Sequence, residues 1–296
     1  MKAGFVSGFV SLVGRPNAGK STLVNRLVGA KVAIVSDKPQ TTRTRILGVR
    51  NYEAGQVVFL DTPGIHRPLH RMNVRMVDAA VEAIRGVDLV GLVVDASEPA
   101  GKGDEFVVNL VKDRRKPVFL ILNKIDLMNK RRLLPIIDRY ARKAPFAEIV
   151  PVSAATGENV DRLERAILEH LSEGPPIYPA DYLTDQPERV VAGEIVREKL
   201  LQLTRDEIPF SSAVVVERFD LDEAGKLLSL YCTIVVDRES HKPIVVGRGG
   251  DMIKRIGIAA RQDLERFFGT RVFVDLHVRV KPEWREDERA LNDMGL

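Results

Sequence analysis

The sequence predicts an α/β fold with a mostly parallel sheet, followed by a smaller α+β domain. In the first half of the 296-residue chain, short apolar runs alternate with amphipathic stretches, a pattern typical of a parallel sheet covered by helices. After a stretch that holds four prolines, residues 174–187, the order of the elements changes. We therefore predict a first domain at 1–174, a linker at 175–187 and a second domain at 188–296.

The strands predicted in the first domain are short, rich in Val, Ile and Leu, and bounded by turn residues. They are Phe9–Val13, Val57–Leu60, Leu89–Val94, Val118–Leu122 and Ile149–Val152. Apolar residues recur at spacings of three and four in Met72–Arg85 and in Asn159–Leu171. This spacing predicts amphipathic helices between the strands.

The second domain is predicted to follow an α-β-β-α-β order. Its two helices are Glu188–Thr204 and Asp251–Phe267, and its three strands are Ala213–Phe219, Leu227–Val236 and Val272–Val280. Such an order is typical of a small α+β domain.

Composition excludes several classes of protein. The chain is 45% hydrophobic and 29% charged, as ordinary globular domains are. Its longest apolar stretch, around Leu89–Ala96, is far shorter than the ~20 residues of a membrane-spanning helix. The N-terminus runs straight into a glycine-rich motif, so we expect no signal peptide. With Cys232 as the one cysteine, an internal disulfide and a cysteine zinc cluster are excluded, which fits the cytosol.

The distribution of charge indicates a local anionic partner. The formal net charge is only +4. Residues 242–285, however, carry 10 Lys and Arg against 5 Asp and Glu. A basic segment of this kind favours a local site for an anionic partner over a uniformly basic surface.

Residues Gly14–Ser21 match the phosphate-binding pattern G-x-x-x-x-G-K-[ST] between a predicted strand and a predicted helix. Backbone N–H groups of such a loop and of the helix N-terminus point at phosphates. We expect Lys20 to lie against the β- and γ-phosphates and the Ser21 hydroxyl to bind Mg²⁺.

Three further motifs follow in the order that a GTP site needs. Asp61-Thr62-Pro63-Gly64 ends a strand, where Asp61 can hold a water on Mg²⁺ and the Gly64 N–H can approach the γ-phosphate. Asn123-Lys124-Ile125-Asp126 ends another strand. A carboxylate there can accept hydrogen bonds from the ring N–H and the amine of guanine, a donor pair that adenine lacks. Ser153-Ala154-Ala155 would place a backbone N–H near the guanine carbonyl.

The polar segment Ser36–Arg45 has no periodicity and is predicted to be a mobile loop. One of its threonines could complete the Mg²⁺ shell when the γ-phosphate is present. We favour Thr42 and keep Thr41 as the alternative. The position after the glycine of DTPG, where many switch GTPases have a water-orienting glutamine, is Ile65. Intrinsic hydrolysis is therefore expected to be slow or to depend on another group in place of the glutamine. The neighbouring His66 is more typical of a solvated loop residue.

A G-x-x-G loop, Gly247-Arg248-Gly249-Gly250, lies inside the basic segment and before a predicted helix. In a KH module such a loop clamps the backbone of about four single-stranded nucleotides. Lys254 could add a phosphate contact, although a solvated helical face is nearly as compatible with the sequence.

The motifs GRPNAGKST, PQTTRTR, DTPGIH, NKID, SAATGENVD and VVGRGGDMIKRIG together resemble those of the Era family, bacterial GTPases with a C-terminal KH domain. The resemblance covers essentially the whole chain. It implies GTP hydrolysis with Mg²⁺, binding near the 3′ end of 16S ribosomal RNA, a role in maturation of the small ribosomal subunit, and some peripheral membrane association of an otherwise cytoplasmic protein, which we expect to be monomeric. Ala18 departs from the Val that many members have, and Arg248 stands where Lys is common.

We expect Lys20, Thr42 and Gly64 to act in catalysis. The expected magnesium ligands are Ser21, Thr42 and Asp61, the last through water. The expected nucleotide contacts lie in four stretches of sequence. The contacts are Gly14, Arg15, Pro16, Asn17, Ala18, Gly19, Lys20, Ser21, Thr22, Asp61, Thr62, Pro63, Gly64, Ile65, Asn123, Lys124, Ile125, Asp126, Ser153, Ala154 and Ala155. The RNA contacts are Gly247, Arg248, Gly249, Gly250 and Lys254. An Asn at the position of Asn17 is found in GTPases that bind a monovalent cation, so K⁺ could also bind there; the alternative is an Asn that only stabilises the loop.

Two other functions are compatible with part of these observations. In one, the second domain of a GTPase binds protein or a membrane without RNA specificity. In the other, the chain is a metabolic phosphotransferase, which has no use for guanine selection or for a G-x-x-G loop.

Overall fold

The computed structural model describes residues 4–65, 68–112 and 115–296. The chain divides into two compact units. The first unit contains the chain up to Ala33 together with Thr42–Pro68 and Val74–Asp185. The second contains Gln186–Leu296 and two short stretches from the first half of the chain, Ile34–Thr41 and Leu69–Asn73.

The first unit is a six-stranded sheet with helices on both faces, and the fold class predicted from the sequence is confirmed. Its elements are β1 (Val6–Val13), α1 (Lys20–Val28), β2 (Ile46–Tyr52), β3 (Gly55–Asp61), α2 (Arg71–Glu82), β4 (Leu89–Asp95), α3 (Lys102–Val111), β5 (Val118–Asn123), α4 (Leu133–Ala141), β6 (Glu148–Pro151) and α5 (Val160–His170). The strand order is β2-β3-β1-β4-β5-β6, with parallel pairing except between β2 and β3. One buried apolar cluster lies on each face of the sheet. The phosphate loop and the DTPG, NKID and SAA motifs therefore all lie at the carboxyl edge of the parallel strands, where α/β sheets bind ligands.

Strand β2 was not predicted from the sequence. It pairs antiparallel with β3 at the edge of the sheet. Gly48 interrupts its apolar pattern because a Cβ there would lie 2.7 Å from a methyl group of Val28. Arg50 and Asn51 near its end are exposed and Tyr52 is half-buried, so the segment lacks the continuous apolar run by which the other strands were recognised.

Most of the predicted linker, residues 175–185, packs within the first unit. The side-chain oxygen of Gln56 accepts hydrogen bonds from the amides of Ile177 and Tyr178, at 2.7 and 2.9 Å. Further along, Val49 donates its amide to the carbonyl of Leu183 at 2.9 Å. Residues 175–185 thus lie against the edge strand β2 and its neighbour β3, since β2 leaves backbone groups at the edge of the sheet that need partners.

The second unit contains the three-stranded sheet β7-β8-β9, in which β7 and β8 are antiparallel and β8 and β9 are parallel. Its elements are α6 (Glu188–Leu203), α7 (Ile208–Ser211), β7 (Ser212–Leu221), β8 (Leu227–Val236), α8 (Lys242–Val246), α9 (Asp251–Phe268), β9 (Arg271–Val280) and α10 (Glu288–Asp293). The short helices α7, α8 and α10 were not predicted. Helices α6 and α9 pack against the sheet through one apolar cluster, and Trp284, fully buried, donates its indole N–H to the carbonyl of Ser211 at 3.1 Å.

Among the helices in the described ranges, we find none with the length and apolar character needed to cross a membrane.

Candidate nucleotide and nucleic-acid sites

The loop between β1 and α1 has the backbone shape of an anion site. Asn17 and Gly19 adopt left-handed conformations, with φ of 61° and 88°. A Cβ at Gly19 would lie 2.2 Å from Nδ2 of Asn123, so glycine is required there for packing as well as for conformation. Backbone turns of this kind, followed by a helix N-terminus, are suited to surround a phosphate.

Lys20 is buried in this loop. Its ammonium group donates to the backbone carbonyls of Arg15 and Gly14, at 3.0 and 3.3 Å. Burial lowers the pKa of Lys20 to about 8, although the nearby charge of Asp61 acts in the opposite direction. A phosphate would give this buried cation an anionic partner in place of neutral carbonyls, so the electrostatics of the loop favour phosphate binding.

Three oxygen-bearing side chains converge beside Lys20. The Ser21 hydroxyl donates to Oδ2 of Asp61 at 2.7 Å and lies 2.8 Å from the Thr42 hydroxyl, which in turn donates to the same carboxylate oxygen at 3.0 Å. Oδ1 of Asp61 is buried and has no hydrogen-bond partner among the described residues. Burial raises the pKa of Asp61, and the charge of Lys20 opposes that shift. Two hydroxyls and a carboxylate with an unused oxygen fit the hard, all-oxygen ligand set that Mg²⁺ prefers.

The geometry separates the two candidate threonines. Thr42 lies in the oxygen cluster just described, whereas the hydroxyl of Thr41 donates to the carbonyl of Lys38 at 2.6 Å.

The DTPG segment lies against the phosphate loop. A Cβ at Gly64 would come within 2.6 Å of the backbone nitrogen of Pro16. Thr62 donates its hydroxyl to the carbonyl of Leu12 at 2.7 Å, and Ile65 donates its amide to the carbonyl of Gly14 at 3.0 Å. The Ile65 side chain is buried in the apolar core, so it is turned away from any attacking water. His66 lies outside the described residues.

The NKID segment is held by long-range hydrogen bonds. The amide of the Asn123 side chain donates to the carbonyl of Ala18 at 2.9 Å, while its oxygen accepts from the amide of Ala154 at the same distance. Asn123 therefore joins the phosphate loop to the SAA loop, and the next amide, that of Ala155, is the candidate for the guanine carbonyl. Ile125 is buried and Asp126 is exposed, as a carboxylate that meets a ligand must be.

Several residues that support this site were missed by the sequence analysis. Asp95 pairs with the ammonium of Lys124 at 2.5 Å, and Arg26 donates to the carbonyls of Ala154 and Ala155. No local pattern marks either residue, because each acts on a segment distant in sequence. The guanidinium of Arg15, another expected nucleotide contact, pairs with Asp104 at 2.9 Å.

The G-x-x-G loop of the second unit has positive φ angles at its three glycines, and its middle residues Arg248 and Gly249 are exposed. Gly247, Gly249 and Gly250 have φ of 76°, 60° and 82°. A Cβ at Gly247 would lie 2.6 Å from the amide nitrogen of Met252, whereas the space beside Gly249 is open. Arg248 and Lys254 are exposed next to this loop. The loop thus offers an accessible glycine backbone flanked by cations at the start of α9, as a nucleic-acid backbone clamp requires.

A groove of about 600 Å³ lies between α9 and the edge strand β9, and Lys254, four residues after the loop, is on its wall. Ile258 and Phe273 on its walls are 44% and 49% exposed, which makes them apolar surfaces available to bases. Among its charged lining residues, Lys254, Arg261 and Arg271 outnumber Glu265, so the groove is basic on balance. The sequence analysis identified the loop but missed the groove, whose two walls come from separate elements; the one sequence signal is Phe273, an aromatic residue on the outward side of the β9 alternation.

Comparison with known proteins assigns a family model to each part of the chain. The model for 50S ribosome-binding GTPases matches residues 9–124, and the KH domain model matches residues 207–285. The GTPase Era of Geobacter metallireducens is 49% identical over 291 residues, which is 98% of either chain, and that of Geotalea uraniireducens is 48% identical over the same length and coverage.

Two solved structures match at 42% identity over 98% of this chain and 99% of theirs. One is Era in complex with MgGDPNP and nucleotides 1506–1542 of 16S ribosomal RNA, with a TM-score of 0.95. The other is an Aquifex aeolicus Era variant bound to GDP and tetrafluoroaluminate, with a TM-score of 0.94. With relatives this similar over the full length, the chain belongs to the Era family of GTPases.

Proposed function

We propose that this GTPase is a molecular switch that binds the 3′ region of 16S ribosomal RNA through its KH domain and acts in maturation of the small ribosomal subunit. The observation that carries the proposal is the presence, in one chain, of a complete set of nucleotide-site elements and an exposed G-x-x-G loop beside an apolar, basic groove. The relative that was solved with nucleotides 1506–1542 of 16S ribosomal RNA supports the identity of the RNA.

In hydrolysis, the protein acts mainly by positioning and by charge stabilisation. Lys20 and the loop amides would hold the β- and γ-phosphates, and Gly64 would present its amide to the γ-phosphate. Ser21, Thr42 and Asp61 would hold Mg²⁺, which supplies charge neutralisation on the phosphate oxygens. Asp126 would select guanine. Because Ile65 has no group that can orient water, hydrolysis by the protein alone is expected to be slow.

Crosslinking the protein to total RNA, with GDPNP or GDP bound, tests the RNA partner. We expect crosslinks concentrated near the 3′ end of 16S ribosomal RNA, with their yield dependent on the nucleotide. Crosslinks scattered over unrelated RNAs would favour the alternative in which the second domain binds protein or a membrane. We expect the protein to act in the cytoplasm as a monomer; peripheral contact with the inner face of the membrane is implied by family resemblance, and flotation with anionic vesicles would detect it.

Replacing Thr42 by Ala is expected to lower the rate of GTP hydrolysis by about tenfold or more, because a ligand of the magnesium shell is lost. Affinity for GDP should change little, since this ligand is needed when the γ-phosphate is present. Single-turnover hydrolysis and GDP titration measure the two effects. Thr41→Ala is the matched control, and a larger loss of hydrolysis in that variant would reverse our assignment.

We also propose that K⁺ assists hydrolysis through Asn17, whose exposed side chain lies on the phosphate loop. Turnover should be several-fold faster in KCl than in NaCl. Asn17→Gly keeps a residue that tolerates the left-handed backbone while removing the carboxamide, so it should lose this difference. Equal rates of the parent protein in the two salts would eliminate the idea.

A further inference from the structure

The segment that leads to Thr42 is held by two buried side chains of helix α6. The amide of Val35 donates to Oε1 of Glu198 at 2.9 Å, and the guanidinium of Arg197 donates to the carbonyl of Thr41. Arg197 and Glu198 are 2% and 3% exposed. Both contacts lie within the second unit, to which Ile34–Thr41 belongs, while the next residue, Thr42, belongs to the first.

Arg197 is fixed in one orientation. Its Nε and Nη2 bind the two carboxylate oxygens of Glu194, at 2.7 and 2.6 Å. Its Nη1 is buried and has no hydrogen-bond partner among the described residues. A buried guanidinium that leaves one donor unsatisfied is an expensive way to stabilise a fold. Its geometry does, however, determine where the carbonyl of Thr41 can lie.

Lys199 links the same segment to the helix that follows the G-x-x-G loop. Its ammonium lies 3.1 Å from Oε2 of Glu198 and 2.5 Å from Oδ2 of Asp263, which belongs to α9. The side chains of Lys199 and Asp263 are only 13% and 16% exposed. Burial disfavours the charged amine, but the hydrogen bond with Asp263 and the charge of Glu198 outweigh it, so the pKa of Lys199 is raised.

Not every ion pair of this unit is shielded in this way. Lys281 and Asp287, for example, pair at 3.2 Å with side chains that are 39% and 43% exposed, so their interaction is screened by solvent. The contacts from Val35 through Glu198 and Lys199 to Asp263 are instead shielded. They connect the backbone before a magnesium ligand with α9, whose N-terminus carries Gly247–Gly250.

We propose that Glu198, Lys199 and Asp263 form a polar relay through which the position of the Ile34–Thr41 segment is communicated to the RNA-binding helix α9. Arg197 anchors the end of that segment by its contact with the carbonyl of Thr41. These are positioning residues: none of them belongs to the nucleotide or RNA contacts expected above. Thr42 would serve as a ligand of Mg²⁺ when the terminal phosphate is bound. A change in its position would move the segment before it against Glu198, and Lys199 would transmit that change to α9. The inference rests on the proposed function, since it requires that nucleotide and RNA sites be coupled.

The test uses the full-length protein and the 3′-terminal segment of 16S ribosomal RNA. The quantity to measure is the ratio of the RNA affinity with GDPNP bound to the RNA affinity with GDP bound. Lys199→Met removes the central cation, and Glu198→Gln keeps an acceptor for the Val35 amide while removing the charge that holds Lys199. Lys199→Arg restores the charge, and Lys281→Met removes an exposed lysine of the same unit as a matched control.

In Lys199→Met and Glu198→Gln, we expect the ratio of the two RNA affinities to move toward one by a factor of about five or more. It should be largely restored in Lys199→Arg and unchanged in Lys281→Met. Amide hydrogen exchange of residues 34–41 should also become faster in the first two variants. A parental ratio of one would overturn the coupling in the proposed function. A parental ratio that differs from one and persists in folded Lys199→Met and Glu198→Gln would overturn the relay alone.

Discussion

Asp126→Asn is expected to weaken GTP binding by about 100-fold or more and to shift preference toward xanthosine triphosphate. The carboxylate of Asp126 would accept two hydrogen bonds from guanine, and hydrogen bonds to a charged group contribute about 1.5–3 kcal/mol each. Loss of about 3 kcal/mol corresponds to roughly a 100-fold change in affinity. Xanthine carries a carbonyl where guanine has its amine, and the amide of an asparagine can donate to it. Titration of GTP, xanthosine triphosphate and ATP against both proteins measures the switch.

Asp138→Asn provides the matched control for this variant. Asp138 is an exposed residue of α4 that forms a surface ion pair with Arg142 at 2.8 Å. The Asp138→Asn variant should bind GTP with the same affinity as the parent protein. If Asp126→Asn also retained full affinity for GTP, guanine would have to be recognised elsewhere. If the parent preferred ATP, the phosphotransferase alternative would regain support.

Gly249→Asp is expected to weaken RNA binding by about 30-fold or more, with GTP binding unchanged. The substitution places a negative charge on the exposed loop where we expect the RNA backbone to lie, and one lost phosphate contact together with repulsion costs about 2 kcal/mol. Gly249 has φ of 60°, a conformation that aspartate adopts more readily than most residues, and nothing lies within 4 Å of a Cβ there. The fold should therefore survive, and fluorescence anisotropy with the labelled RNA segment gives the affinity.

Gly225→Asp separates loss of the RNA contact from general damage to the second unit. Gly225 also has a left-handed backbone, with φ of 66°, and also faces open space. It lies in the turn between β7 and β8, away from the G-x-x-G loop in sequence. We expect its RNA affinity to equal that of the parent. Intact RNA binding by Gly249→Asp would show that the loop is not the contact and would favour a protein or membrane partner.

The sequence was sufficient to predict the parallel core of the first domain and the α-β-β-α-β order of the second. Apolar runs such as Val118–Leu122 are buried on both faces of the sheet, so composition alone marks them. Strand β2 was not predicted because it lies at the edge of the sheet, where burial changes along the strand and Gly48 interrupts the apolar pattern. The packing of the linker is another feature that the sequence does not show: its prolines mark an irregular chain but do not reveal that Gln56 binds it.

The candidate sites also contain some features that the sequence predicts and others that only the structure shows. Glycine and lysine spacing in Gly14–Ser21 predicts a phosphate loop because one short segment carries the whole device. Adjacent threonines with the same chemistry could not be separated until the structure placed Thr42, but not Thr41, beside Asp61. The groove next to the G-x-x-G loop and the contacts of Arg197 with Thr41 join elements far apart in the chain. A single sequence has no local signal for such contacts.

The central claim is that the nucleotide bound in the first unit changes the affinity of the second unit for RNA. Calorimetric titration of the parent protein tests this claim most directly. The 3′-terminal segment of 16S ribosomal RNA is titrated into protein saturated with Mg²⁺ and either GDPNP or GDP. We predict affinities that differ by about fivefold or more between the two states. Equal affinities in both states, or no detectable binding of the RNA in either, would contradict the account.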